Sequence, residues 1–437
     1  MTMTPPIQLS EPGRPQIAAD QIDYIDLYRR WELGNWSAMD LDFTQDRIDW
    51  NDKFDDFMRK AARWNYSLFF FGEDEVADQL SPFIDAAPLE EQKYFLTTQQ
   101  VDEARHAIFF SRFFKEVIGL EGADYADRLK AIDGDLTYGI KKVFGLLNTV
   151  TDELRRGDHS KPKLAQAVAL YHFIVEGTLA QTGQHFIADY LNRMDVLPGF
   201  REGMENVEKD EQRHIAFGVK LLADLNRQDP EVRPAVREIL GAVMPYTLGV
   251  FRPPNDDERY IEVFGETMVG VAVTGSRQLE MRVAAAGLES YGPDGVLPFL
   301  DPDVSHAERA TRAFTMQRAG FFSGGTEPIR ADDEALDFYF DLVAASVSPD
   351  NKLKGPTTIL WDFTDAPPRH MRIDGVKATV ATGPADGADV VFRTDLATWI
   401  GISGGFVQPG RALLTRKLRI KGSPMTLAKL PSVFQSP

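Results

Sequence analysis

Apolar residues recur with a period near 3.6 along most of the chain, from about residue 21 to about residue 320. The pattern predicts long amphipathic helices near 52–79, 90–118, 161–193 and 201–226, with further helices near 231–250, 257–287 and 304–320. Ser160 and Pro162 open the third of these, and Pro198-Gly199 separates it from the fourth. The texture changes after about 321, where Ser323-Gly-Gly-Thr-Glu-Pro328 reads as a linker followed by a helix near 334–347. Period-2 segments then run over 358–363, 370–380, 389–392 and 414–420, with helices near 394–403 and 425–432. The expected organisation is a flexible arm over 1–20, a mainly α domain over 21–320, a linker over 321–333 and a small α+β domain over 334–437.

Composition narrows the chemistry. A net charge of −18 argues against a nucleic acid as main partner, because phosphate binding needs an excess of Lys and Arg. The chain has no cysteine, which excludes disulfides, thiolate metal sites and cysteine nucleophiles. Carboxylates and imidazoles remain as metal ligands. No run approaches the length of a transmembrane segment, and residues 1–20 lack the apolar stretch of a secretory signal. A soluble, cytoplasmic protein is expected.

One pentapeptide occurs twice, as Asp102-Glu-Ala-Arg-His106 and Asp210-Glu-Gln-Arg-His214. In each copy a Glu and a His stand three residues apart, so on a helix both side chains leave one face. Two such helices, with one Glu from each of two others, form the ligand set of a dinuclear carboxylate centre in a four-helix bundle. A single copy is a weak signal; two copies with apolar flanks, Phe109 and Phe110 in one and Ile215 and Phe217 in the other, are a strong one. The other carboxylates should stand in apolar helical surroundings, where an unpaired charge is costly. Glu176 does so within Leu170–Leu179, and Glu73 follows Leu68-Phe-Phe-Phe-Gly72, with Glu75 as a competitor. Asp102 and Asp210 are natural acceptors for the ligating imidazoles; solvated acids are the plainer alternative. His172, one turn before Glu176, reads as a packing histidine.

Four stretches resemble the ligand-binding oxidases related to the small subunit of ribonucleotide reductase. They are Phe71-Gly-Glu-Asp-Glu-Val76, Phe95-Leu-Thr-Thr98 with 102–106, Ile174-Val-Glu-Gly-Thr-Leu-Ala180, and 210–218; Trp36–Asp46 is similar too. The resemblance implies a ferritin-like fold with Glu73, Glu103, His106, Glu176, Glu211 and His214 as ligands of Fe/Fe or Mn/Fe, and dioxygen as co-substrate. It decides for Glu73 because Val76 then matches one partner of the family's Tyr–Val ether cross-link, with Tyr171 as the other. Phe110 stands where the radical-bearing Tyr of the reductases falls, which argues against ribonucleotide reduction. Tyr171 precedes Glu176 by five residues, about 140° round an ideal helix, so a π-bulge is predicted between them.

The last domain resembles the sterol-carrier-protein fold in Trp361-Asp-Phe363, Ile373-Asp-Gly375, Ala388–Phe392, Trp399–Ile402 and Leu418–Gly422. That resemblance implies an apolar tunnel for acyl chains or sterols, or a scaffolding module. Arg411, Arg416, Lys417, Arg419 and Lys421 form a basic stretch whose alternation with Leu418 and Ile420 reads as a solvated strand face, with anionic head groups as the sharper alternative. Together the two resemblances lead us to expect an oxygen-activating dinuclear oxidase acting on a hydrophobic, acyl-chain-bearing small molecule, working as a homodimer. The rival readings are amine N-oxygenation in secondary metabolism, and a lipid-binding protein whose metals only cross-link the chain itself. Sequence chooses neither the metal pair, the substrate nor the electron donor.

Overall fold

Helix starts are set by side-chain oxygens and prolines placed where backbone N–H groups lack partners. Asp55 accepts the Met58 N–H at 2.8 Å and opens a helix at Asp56. The longest helix begins at Pro198, after Leu197 in the left-handed region. Its first N–H groups are held by two acids of another helix: Asp46 accepts from Gly199 and Phe200 at 2.9 and 2.7 Å, and Asp49 from Leu197 at 2.9 Å. A buried carboxylate at a helix N-terminus satisfies both the orphan donors and the helix dipole.

The computed structural model describes residues 18–434, apart from 123, 293, 298–299, 331 and 349. The chain divides into two compact units, Met1–Ser290 and Tyr291–Pro437. Most of the predicted N-terminal arm lies outside the described residues. In the first unit the helices are α1 (Tyr24–Gly34), α2 (Thr44–Asp52), α3 (Asp56–Gln79), α4 (Ser81–Ala86), α5 (Glu90–Phe113), α6 (Tyr125–Ile132) and α7 (Tyr138–Arg155). α8 (Lys161–Val168) runs through a π-helical segment, Ala169–Ala180, into α9 (Gln181–Met194) as one rod. Then come α10 (Pro198–Gln228), α11 (Val232–Thr247), α12 (Arg259–Glu262) and α13 (Met268–Ala285).

α3 packs on α5, and the π-helical segment on α10; these four rods form a ferritin-like bundle. An aromatic core closes it, with Phe113 against Phe200 at 4.2 Å and Phe70 against Phe114 at 5.2 Å between ring centres. Such pairs contribute about 0.5–1.5 kcal/mol each beyond area burial. The helix predicted over 257–287 is broken in two. Gly265, at φ +90, turns the chain, and Thr267 caps α13 by accepting the Gly270 N–H at 3.0 Å. Among the described residues no helix is long and apolar enough to cross a membrane.

The second unit carries α14 (His306–Arg318), α15 (Asp333–Ala345) and a five-stranded sheet. The strands are β1 (Thr357–Phe363), β2 (Arg369–Asp374), β3 (Lys377–Thr382), β4 (Val390–Thr394) and β5 (Leu418–Gly422), in the order β3-β2-β1-β4-β5. β1 and β4 are parallel and the other pairs antiparallel. Phe340, Trp361, Met371 and Phe392 fill the core. The segment expected as one strand over 370–380 is a hairpin, turned at Gly375 with φ +61. α14 lies in this unit, not with the helices before it: Met316, Ala319 and Phe321 enter its core, and Arg312 stacks on Phe338. The expected border near 320 therefore falls at 290–291, and the start of the expected linker is core.

Candidate metal centre

The helical period places Glu103 and His106 on one face of α5, and Glu211 and His214 on one face of α10. Glu73 enters from α3 and Glu176 from the π-helical segment. All six side chains are buried. They form two groups: Glu73, Glu103, His106 and Glu211, and Glu103, Glu176, Glu211 and His214. Within each, the candidate ligand atoms lie within 4.8 Å of one another. Glu103 and Glu211 belong to both. His106 Nδ1 stands 3.2 Å from Glu73 Oε2 and 3.3 Å from Glu103 Oε2; His214 Nδ1 stands 3.1 Å from Glu103 Oε1 and 3.4 Å from Glu176 Oε1.

Four carboxylates sharing one buried space cannot all be charged without cations among them. Burial pushes the Glu73 carboxyl up to about 8 against the pull of His106, and raises Glu176 and Glu211 as well. Burial acts on Glu103 too, but hydrogen bonds and charge from His106 and His214 overcome it and hold this carboxyl well below the usual range. Glu176 Oε2 and Glu211 Oε2 make no hydrogen bond. Inward-facing acceptors without donors, two imidazole nitrogens and four carboxylates fit a pair of divalent ions of the iron and manganese type.

The outer nitrogens are held crosswise. His106 Nε2 lies 3.1 Å from Asp210 Oδ2, and His214 Nε2 lies 3.1 Å from Asp102 Oδ2, so each aspartate serves the imidazole of the opposite helix. Indole N–H groups support both, Trp31 donating to Asp102 at 2.9 Å and Trp36 to Asp210 at 2.7 Å. Arg213 bridges the two aspartates, and Arg105 donates to Asp102 at 2.8 Å. Burial raises Asp210, yet His106 and Arg213 win and lower it. Bonds of this kind fix the imidazole tautomer and aim Nδ1 inward.

The predicted π-bulge is a π-helical segment of 12 residues. Its wider turn brings Tyr171 round to the side of Glu176, where the Tyr171 hydroxyl donates to Glu103 Oε1 at 2.9 Å. Gln99, one turn before Glu103, donates to Tyr171 Oη at 3.1 Å and to Glu176 Oε1 at 2.8 Å, while His172 Nε2 lies 3.3 Å from Gln99 Oε1. His172 is thus a packing residue, fully buried, with Nε2 held by Gln99 and Nδ1 left without a hydrogen-bond partner. Glu75 points elsewhere, accepting from Asn148 at 3.4 Å. Phe110 is fully buried against Phe69 and Phe200. Gln99, Trp31 and the bridging role of Arg213 are missed by sequence reasoning; only the repeated Arg hinted at the last. An apolar cavity of about 50 Å³, lined by Val76, Phe144, Leu179, Ala180 and Phe251, opens on Glu73, Glu103, Glu176 and Glu211.

The sequence profile described as "ribonucleotide reductase, small chain" matches residues 19–244, just over half of the chain. The chain belongs to that family. The match takes in all six residues of the cluster. A second profile, the SCP-2 sterol transfer family, matches residues 351–435, which include the whole sheet of the second unit. Solved structures with the same fold include variants of an R2-like ligand-binding oxidase with anaerobically or aerobically reconstituted Mn/Fe cofactor. Two of these are 23% and 22% identical to this chain, with TM-scores of 0.52 and 0.53. Each alignment covers 61% of this chain and 94% of the other.

Proposed function

We propose that this family member is a dinuclear oxidase that uses dioxygen to oxidise a hydrophobic, acyl-chain-bearing small molecule. The carrying observation is the cluster of six buried candidate ligand groups, in which carboxylate oxygens of Glu176 and Glu211 lack hydrogen-bond partners, at the end of an apolar cavity. Glu73 and His106 would hold one ion and Glu176 and His214 the other, with Glu103 and Glu211 shared between them. When bound, Fe/Fe or Mn/Fe supplies oxygen activation and oxidising power. The chain's own residues position and protect. Asp102 and Asp210 keep Nδ1 of each imidazole aimed inward, the Tyr171 hydroxyl donates to Glu103 for as long as it is not cross-linked, and Val76, Leu179 and Phe251 exclude water. The Mn/Fe cofactor named for the similar structures supports this metal pair.

We propose the same centre joins Val76 and Tyr171 as an ether, with a Val76 C–H and the Tyr171 O–H giving up two hydrogens to dioxygen. The sterol-transfer match of the second unit supports a lipid-like substrate, which that unit would bind or deliver. Elemental analysis and anomalous scattering at the iron and manganese edges test the centre: two ions per chain at these six residues are expected. Ions bound elsewhere, or fewer than one per chain after reconstitution, would sink the reading. Oxygen consumption by the reconstituted protein should rise on adding medium-chain fatty acids; a response to aromatic amines alone would replace the substrate class.

A further inference from the structure

Charge is distributed very unevenly along the chain. Residues 396–437 hold six of the 48 Lys and Arg and none of the 66 Asp and Glu, so the preceding 395 residues carry −24. Arg411, Arg416, Lys417, Arg419 and Lys421 crowd into the stretch joining a short helix, α17 (Pro409–Leu414, following α16 at Leu396–Ser403), to β5. No ion pair engages any of the five among the described residues, and β5 is an edge strand, with Arg419 and Lys421 exposed. Edge-strand cations alone have an ordinary use, which is to repel another strand. They do not account for the leucines beside them. Leu414 is 87% exposed and Leu413 43%, at the end of α17 and immediately before the Arg416-Lys417 corner.

We propose that this corner is a docking face for an anionic lipid bilayer. The chain as a whole is repelled by a negative surface, so its approach is favoured through its longest acid-free stretch, 396–437. Each Lys or Arg near such a surface adds attraction that salt screens. Leu414 stands clear of its neighbours instead of lining a groove, which suits insertion into a fluid phase better than a shaped protein pocket. The long stems of Lys417 and Lys421 let their charges stay at head-group level while Leu413 and Leu414 go deeper. The face is independent of the metal cluster, and the proposal stands whether or not the oxidase reading does.

Co-sedimentation of the full chain with extruded vesicles tests it. Binding is expected to vesicles containing about one third phosphatidylglycerol, with at least about tenfold less to pure phosphatidylcholine, and loss in high salt. R416E/K417E should weaken binding at least about tenfold, and L414S several-fold, each with an unchanged melting temperature. Equal binding to both vesicle types, or binding untouched by both variants, would overturn the proposal. So would a charge reversal that left vesicle binding alone but changed the mass in sedimentation velocity, since the face would then pair two copies of this chain.

Discussion

Gln99 is the residue on which the ordering of the second metal group turns. Its amide holds Tyr171 and Glu176 together and meets His172 behind them, and all four side chains are buried. Replacing it by Leu keeps the bulk but removes those bonds, and each buried polar group left without a partner costs about 1–3 kcal/mol. Gln99→Leu should therefore lower the melting temperature by several degrees while two ions still bind, because Gln99 is not a ligand. Calorimetry with metal analysis checks this; an unchanged melting temperature would show that the amide supports nothing. At this scale the clustered carboxylates and imidazoles were legible and their support was not. Glu103, His106, Glu211 and His214 announce themselves through a spacing that helix geometry converts into a shared face. Gln99 sits in a polar Thr-Thr-Gln-Gln run and is indistinguishable there from a solvated residue. The crossed pairing of Asp102 and Asp210 depends on which helices face each other, and no local spacing encodes that.

Between elements, the contact that sets the site's dimensions is that of α10 with the π-helical segment. At Gly218 an added Cβ would lie 2.3 Å from His172 Cβ and 2.5 Å from its Cγ. The His172 ring cannot yield, being packed on Tyr171 at 4.6 Å, Phe217 at 5.7 Å and Phe83 at 6.1 Å between ring centres. Gly218→Ala must push the two rods apart, at a cost of about 1–3 kcal/mol. Glu176, His214 and the shared Glu211 lie on those rods, whereas Glu73, His106 and the shared Glu103 do not. The variant should weaken one of the two metal steps in a calorimetric titration clearly more than the other. Equal weakening of both would mean that the bundle yields as a whole. The long rods were readable from periodicity, and the π-helical turn from the awkward five-residue step between Tyr171 and Glu176. The hairpin at Gly375, the break before α13 and the allegiance of α14 were not, since each depends on a positive φ or on long-range packing that a hydrophobic period does not report.

For the whole first unit, the buried carboxylates make folding and metal binding respond to pH in opposite senses. Glu73 titrates near 8 in the fold against 4.5 ordinarily, and Glu176 and Glu211 shift the same way. Between those values the metal-free folded state holds protons that the unfolded state has released, so its stability falls as pH rises through the window. His106 and His214, raised by their carboxylate neighbours against the effect of burial, act in the same direction. Glu103 and Asp210 are lowered, so their stabilisation is lost only in acid below the window. Metal ions need deprotonated ligands, hence bind more tightly as pH rises and stabilise the fold by mass action. The melting temperature of chelator-treated protein should fall by several degrees from about pH 5.5 to about pH 8.5, while the gap between loaded and stripped protein widens. Calorimetry in buffers of different ionisation enthalpy should also register protons released as metal enters. A stripped protein that grew more stable across this range would mean that the four carboxylates are already ionised and compensated within the fold, and the cluster would then lose its electrostatic reason to bind two cations.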